Sequence, residues 1–325
     1  TPQIAVIGSG ISGIMAAYHL SKLYKVALYE KEDRIGGHTN TFTIGTGPDS
    51  GTGIDTGFIV LNDRTYPTLH SFFKELGVQV RYSDMSFGFY CENSNLQYAA
   101  PRLRSLFADR KNIFSLRHIG LIREMSRFNA IGRRALLEDG IANDEKLSEF
   151  IARHKISDYF TSNYLIPMAA AIWSSPDDLI MDFPVKIFLR FFHNHGLLDL
   201  FDRPRWQTVV GGSKSYLDRF KEQFAGDIHT GCGVKSVSRG DQYCTIVLED
   251  GRALQYDYVV IATHADQALR LFDDPSKDEK KVLGVWSYQT NHTVLHSDTT
   301  FLPPLKDAGA SWNYRREKGA TGKEP

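Results

Sequence analysis

Residues Gln3 to Gly37 read QIAVIGSGISGIMAAYHLSKLYKVALYEKEDRIGG, and this stretch decides the fold. Ile4-Ala5-Val6-Ile7 is a short apolar, β-branched run, the pattern of a buried parallel strand. It leads into Gly8-Ser9-Gly10-Ile11-Ser12-Gly13, a G-x-G-x-x-G. Ile14, Ala17, Tyr18 and Leu20 then recur at helical spacing, and Lys25-Val26-Ala27-Leu28-Tyr29 is a second strand-like run that ends on Glu30. The order strand, glycine turn, helix, strand and acid is that of one βαβ unit. Gly8 permits the tight turn, Gly10 lets backbone approach a pyrophosphate, and Gly13 lets the helix pack on the strand. The first N–H groups of that helix lack internal partners and carry partial positive charge, so an anion binds there. Glu30 stands roughly 20 residues on, where a carboxylate accepts hydrogen bonds from a ribose diol. A carboxylate would repel a 2′-phosphate, so the pattern is a dinucleotide site that disfavours NADP.

The continuation Lys31-Glu32-Asp33-Arg34-Ile35-Gly36-Gly37-His38-Thr39 separates FAD from NAD. Its E-x3-R-x-G-G pattern resembles the flavin amine oxidase superfamily, which also contains protoporphyrinogen oxidases and phytoene desaturases. His38 stands where that family usually has Arg. Further stretches narrow the resemblance: Gly36 to Thr41, Ile54 to Asn62, Arg64 to Pro67, Asp84 to Phe87, and Pro167 to Ser174. They look like a bacterial branch of FAD/NAD-binding oxidoreductases, and they are similar to the N-terminal region of plant cyclopropane fatty acid synthases. The likeness runs from the first strand to about Arg316. It implies FAD, with Gly36-Gly37 over the pyrophosphate and Lys31, His38 and Thr39 beside them. Thr56-Gly57-Phe58-Ile59 would pass along the flavin, and the backbone of Val234 would meet adenine. Ala262-Thr263, ending a buried run from Tyr258, would lie near the pyrophosphate at the carboxyl edge of the sheet. Pro167 to Ser174 would help wall a substrate cavity, with Trp173, His195 and Trp206 as candidates for its lining.

Global properties bound the alternatives. Formal charge balances to +0 and 42% of residues are apolar, an ordinary globular composition with nothing that points to nucleic acid. Cys91, Cys232 and Cys244 are odd in number and far apart, without a C-x-x-C, so neither a disulfide framework nor a zinc site is indicated. A reducing cytoplasm is the expected setting. No apolar run is long enough to span a bilayer, and the N-terminus reads as a strand, not a signal peptide.

Beyond the first unit, Gly45 to Gly53 (GTGPDSGTG) is a turn between strand-like runs, not a P-loop, and Gly233-Val234-Lys235-Ser236 misses that motif on spacing. Ile54 to Leu61 reads as a strand with a tight corner. Leu69, Phe72, Phe73 and Leu76 share a helix face that stops at Gly77. Val78 to Val80 and Phe87 to Tyr90 read as strands. Arg102 to Glu138 is a long helical stretch with cations at 102, 104, 110, 111, 117, 123, 127, 133 and 134, interleaved with apolar residues. That mixture fits a solvated face on a packed helix, a membrane surface, or the docking of an acidic acyl carrier protein. Ile187 to His195 is aromatic; on a strand His193 and His195 would face one way, but no further ligand is apparent, so no metal site is expected. Tyr216, Phe220 and Phe224 mark a helix, Ile228 to Val237 a strand-turn-strand, and Tyr243 to Leu248 a hairpin arm turning at Gly251. Lys277 to Lys281 reads as a charged loop leading to strands near Val285 to Tyr288 and Thr293 to His296.

The expected architecture is α/β: a doubly wound Rossmann-type FAD-binding domain with an inserted α+β substrate domain. Its pieces are 1–62 and 204–270 for FAD, 63–203 for a helical substrate domain, and 271–325 for a substrate-domain sheet. No closing strand, glycine turn and helix follow Thr263, so a chain cut short of its last FAD segment is expected. The function expected is an FAD-dependent oxidoreductase, amine oxidase- or desaturase-like, moving hydride from an apolar, lipid-like substrate to flavin. An NAD-linked reductase and a non-catalytic flavin-binding module are the alternatives. No catalytic base is identified, and the oligomeric state is left open.

Overall fold

The structure is a computed structural model that describes residues 1–199 and 203–319. Residues 200–202, and 320–325 of the expected last segment, lie outside the described residues. The chain forms two compact units, each from separate pieces. The first takes Thr1–Leu61, Tyr66–Arg81 and Gln207–His292; the second takes Asn62–Thr65, Tyr82–Trp206 and the chain from Thr293 on.

In the first unit, β1 (Gln3–Ile7), α1 (Ile11–Ser21) and β2 (Lys25–Tyr29) form where the opening stretch predicts. β1 pairs in parallel with β2 on one side and with Tyr258–Ile261 on the other; Asp227–His229 extends the sheet beyond β2. Side chains alternate along a strand, so β1 serves two cores. Ile4 and Val6 join Ile14, Ala17, Phe72, Phe73, Tyr216 and Phe220 on the helical side. Ala5 and Ile7 join Val237, Ile246 and Leu248 from an antiparallel sheet of Val234–Arg239, Cys244–Leu248 and Ala253–Tyr256. Burial of both faces is why the run has no polar residue. The helix Pro67–Leu76 starts on its proline and stops on Gly77 at φ 72°.

The second unit packs helices around one aromatic core that includes Phe89, Phe128, Phe150, Phe160, Phe188 and Phe192. Its longest helix, Leu116–Leu137, crosses Val185–Asn194 where Gly132 leaves room: a Cβ there would lie 2.9 Å from Leu189 Cδ2. Phe87–Cys91 pairs antiparallel with Leu96–Ala100 and in parallel with Trp312–Arg316.

Several expectations are corrected. Ile187 to His195, whose element the sequence left open, falls on the helix Val185–Asn194 and its cap, where Phe188, Leu189 and Phe192 follow a helical repeat and are buried together. His193 and His195 therefore do not share a face in the way a strand would arrange them. Lys277 to Lys281 is not a loop: Ser276 and Glu279 close a capping box on the helix Lys277–Leu283. Val285 to Tyr288 and Thr293 to His296 form no strand; they run exposed, and no strand among the described residues pairs with them. Of Ile54 to Leu61 only the two ends are strand, Gly53–Asp55 and Leu61–Asn62. Residues 66–81, expected in the helical insert, and 271–292, expected with a substrate-domain sheet, belong to the first unit. There Phe72 and Phe73 are buried against α1 and Leu271 against the antiparallel sheet.

Candidate functional site

The chain leaves β1 towards β2 and returns on the opposite side with Tyr258–Ile261. That reversal opens a crevice at the carboxyl ends of the strands, the place where doubly wound sheets bind ligands. Gly8 turns the chain there at φ 96°, and its N–H donates to the Tyr29 carbonyl at 2.9 Å. A Cβ on Gly8 would lie 2.8 Å from the Ala262 carbonyl oxygen, and one on Gly13 would overlap the Gly8 carbonyl. A Cβ on Gly10 would meet nothing within 4 Å. Two glycines are thus required by packing, and the middle one faces open space. α1 begins directly after it, with no side-chain cap and no acid in its first turn, and with Ile11 and Ser12 exposed. Unpaired N–H groups and the helix dipole make that space suited to a diphosphate.

Glu30 is buried and turned towards the glycine loop. Its Oε2 accepts from the Ser9 N–H at 3.0 Å and the Ser9 hydroxyl at 2.5 Å, and its Oε1 accepts from the Glu32 N–H at 3.0 Å. A carboxylate offers about four lone-pair sites, so Oε1 keeps capacity for one more donor. Around it the backbone is pinned: Cys232 N–H donates to the Glu30 carbonyl at 2.8 Å and Gly231 N–H to the Glu32 carbonyl at 2.7 Å. This sets Val234, at a break in strand register, just past the anchored turn. Lys31 instead points outward and pairs with Glu32 at 3.4 Å.

The second glycine pair closes over the first. Gly36 N–H donates to the Ser9 carbonyl at 2.9 Å, and a Cβ on Gly37 would lie 3.0 Å from Gly10 Cα. Arg34 holds this loop by donating to the Thr39 carbonyl at 2.9 Å and the Gly37 carbonyl at 3.3 Å. Thr39 shares a 2.7 Å hydrogen bond with the Tyr216 hydroxyl. Burial pushes that phenol up to about 12 despite the Thr39 contact, so it stays protonated. Phe58 N–H donates to the His38 carbonyl at 3.1 Å, and a Cβ on Gly57 would overlap that same oxygen. Thr56 N–H donates to Asn40 at 2.9 Å, while the Ile59 carbonyl accepts from Thr208. The His38 ring is exposed and stacks on His264 at 5.8 Å, which stacks on Tyr288 at 4.3 Å. His264 follows Ala262-Thr263, the neighbours of Gly8.

Of the cofactor residues named from sequence, Ser9 and Glu30 bond each other, Gly36 and Gly37 lie on Ser9 and Gly10, Ala262 and Thr263 lie against Gly8, and Gly57 and Phe58 lie against His38, while Lys31 stands apart. Sequence reasoning missed Arg34 as a loop clamp, His264 and Tyr288 as a stacked pair, and Asp55. The Asp55 carboxylate accepts from Ser213 N–H at 2.9 Å, Ser213 Oγ at 2.7 Å and Thr41 Oγ1 at 2.6 Å. It thereby ties the Thr41–Thr43 hairpin to the start of the helix Lys214–Gln223. Arg34 was visible in the E-x3-R-x-G-G pattern; the Asp55–Ser213 link has no local signal.

The three cavity candidates lie in the second unit, in one aromatic row. Trp173 meets Phe191 at 4.9 Å, Phe191 stacks on His195 at 3.9 Å, and His195 stacks on Trp206 at 5.9 Å. His195 Nδ1 lies 2.9 Å from the Phe191 carbonyl, its own helix's backbone. Among the described residues no group of three His, Cys, Asp or Glu converges as a metal site.

A family model described as flavin containing amine oxidoreductase matches residues 11–321. An L-amino-acid oxidase of Sistrurus catenatus edwardsii is 22% identical over 301 residues, 86% of this chain and 54% of that protein. A redesigned putrescine oxidase superimposes with a TM-score of 0.66 at 18% identity, covering 87% of this chain and 63% of that one. A fatty acid isomerase from P. acnes gives a TM-score of 0.60 at 16% identity, with 87% and 63% coverage. The chain thus spans about half the length of the curated relative and under two thirds of these structures.

Proposed function

Because the chain belongs to the flavin containing amine oxidoreductase family, whose cofactor is FAD, we propose that it is an oxidoreductase acting on an apolar, lipid-like substrate. The observation that carries the cofactor half is the open space at Gly10 before an uncapped helix, with the Glu30 carboxylate beside it. The residues present fit the group. The α1 N-terminus and Gly36-Gly37 would hold the diphosphate, Glu30 the adenosine ribose, and the backbone at Val234 the adenine. Thr56 to Ile59 and Ala262-Thr263 would bound the rest.

When bound, FAD supplies a two-electron acceptor for a hydride leaving a C–H bond. The chain's own residues bind, orient and exclude water. Ser9 aims the Glu30 side chain by donating two hydrogen bonds to it. Tyr216 stays neutral and fixes Thr39 under the second glycine pair. Arg34 neutralises two carbonyl oxygens that would otherwise face a diphosphate with partial negative charge.

For the substrate, the support is the aromatic row Trp173, Phe191, His195 and Trp206, which offers apolar faces and little to pair with an ammonium. The fatty acid isomerase among the structural neighbours agrees with that; the putrescine and L-amino-acid oxidases favour an amine. The free thiols of Cys91, Cys232 and Cys244 fit a reducing cytoplasm. The test is anaerobic titration of the purified protein with a fatty-acyl phospholipid and, separately, with simple amines. Loss of flavin absorbance with lipid supports the proposal, and loss with amines alone overturns its substrate. A colourless protein that binds NADH would make it an NAD-linked reductase, and flavin that stays oxidised with every donor would make it a binding module.

A further inference from the structure

The cations of the 102–138 stretch divide into two sets. Arg102, Arg104, Arg127, Arg133 and Arg134 pair with Asp84, Asp307, Glu124, Asp199 and Glu138. Among the described residues no carboxylate pairs with Arg110, Lys111, Arg117 or Arg123; the Arg117 guanidinium lies 4.2 Å over the Tyr159 ring. Three of them, Arg110, Lys111 and Arg117, lie on or next to one turn of the second unit. A single tight turn, Arg110–Phe114, joins the short helix Leu103–Leu106 to the long helix Leu116–Leu137. On that turn and the helix start, Phe114 is 88% exposed and Leu116 86%, with Leu103 at 74% and Ile113 and Ile119 also exposed.

This apolar tip is not a frayed end. Asp109 caps the turn by accepting from Lys111 N–H at 3.0 Å, and Ser115 caps the long helix by accepting from His118 N–H at 3.3 Å. Behind it His118 and Leu121 are buried, so the backbone is anchored while Phe114 and Leu116 project outward. A rigid turn that holds large apolar side chains in water gains nothing for folding. Unpaired cations beside it favour a partner that is negatively charged over an area and apolar beneath. A bilayer with anionic headgroups has both properties at the right depth, since interfacial anchors enter by roughly 5–10 Å.

We propose that the Arg110–Phe114 turn and the first turn of the Leu116–Leu137 helix form a peripheral docking site for an anionic lipid surface. Phe114 and Leu116 enter the acyl boundary while Arg110, Lys111 and Arg117 meet headgroup phosphates. The proposal is independent of the substrate assignment: it holds for any reaction at the crevice of the first unit.

The experiment is sedimentation of the FAD-loaded full chain with vesicles of phosphatidylcholine alone or phosphatidylcholine mixed with phosphatidylglycerol. Binding should be on the order of a hundredfold stronger with phosphatidylglycerol, and should weaken in about 0.5 M salt. F114D/L116D should abolish it, and R110Q/K111Q should weaken it, each with unchanged melting temperature and flavin spectrum, because these side chains make no core contact. F114W should show a blue-shifted emission with the mixed vesicles, quenched by brominated acyl chains. Equal binding to both vesicles, no binding to either, or undiminished binding by F114D/L116D would overturn the proposal. Binding to an acidic acyl carrier protein without binding to vesicles would overturn it in favour of a protein partner.

Discussion

Gly10 and Gly13 occupy the same motif and are absent of side chain for different reasons. A methyl at Gly13 overlaps the Gly8 carbonyl, which is backbone and cannot move aside. A methyl at Gly10 meets no protein atom, and its φ of −65° suits any residue. G13A should therefore cost about 1–3 kcal/mol of stability as well as cofactor. G10A should melt within about 0.5 kcal/mol of wild type yet lose FAD, because its methyl fills space a diphosphate needs. Thermal melting and flavin content of the two variants check this. A G10A protein that keeps its flavin would remove the diphosphate from that space. Glu30 makes a related case: with three donors pointing at it, E30Q turns an amide N–H towards Ser9 or Glu32 and should cost about 1–3 kcal/mol, read by chemical denaturation.

At the scale of an element, the Leu116–Leu137 helix shows how one turn can couple charge to burial. His118 lies in its first turn, buried, with Nε2 at 2.8 Å from the Leu106 carbonyl, so Nε2 carries the hydrogen. Nδ1 is buried without a hydrogen-bond partner. Burial holds the imidazole below its ordinary range, against the weaker pull of the Leu106 carbonyl and Asp109. Below about pH 6.5 the unfolded chain gains a proton that the folded chain resists. The sign follows: this part of the stability is complete above that pH and is lost as pH falls towards the depressed folded value. H118Q retains a donor for Leu106 and removes the titration. Its melting temperature should fall less steeply than wild type between about pH 7 and 5. Parallel curves would show that His118 does not contribute.

For the whole molecule, the consequence lies in how the first unit is assembled. Its crevice draws residues from the first 60 positions, from 228–234 and from 258–264, with the second unit's chain inserted between. Adding FAD to apoprotein should slow amide exchange in all three regions together, by roughly tenfold or more at Gly10 to Ile14 and at Cys232 to Val234. Hydrogen-exchange mass spectrometry reads this directly. Protection limited to the first crossover would mean that adenine does not reach Val234.

The contrast between what was legible and what was not follows range along the chain. Residues 3 to 39 could be read because every signal there is local: apolar periodicity, glycine spacing and an acid at a set distance. The Pro67–Leu76 helix was legible for the same reason, with its stop signal at Gly77. Lys277–Leu283 should have been legible, since Ser276 and Glu279 form a capping box, but its charge disguised it as a loop. The helix Val185–Asn194 was left open by the sequence because a dense aromatic run satisfies both periods until its neighbours choose one.

By itself, then, the sequence determined the first crossover, the class of cofactor and the α/β architecture, because those depend on backbone geometry over a few tens of residues. Only the tertiary structure decided which pieces share a unit, that Asp55 holds Ser213, that Phe87–Cys91 lies beside Trp312–Arg316, and that one turn carries its apolar side chains into water beside unpaired cations. Each of these rests on contacts across large separations or on exposure. A residue's type does not encode its exposure until the rest of the chain has packed around it.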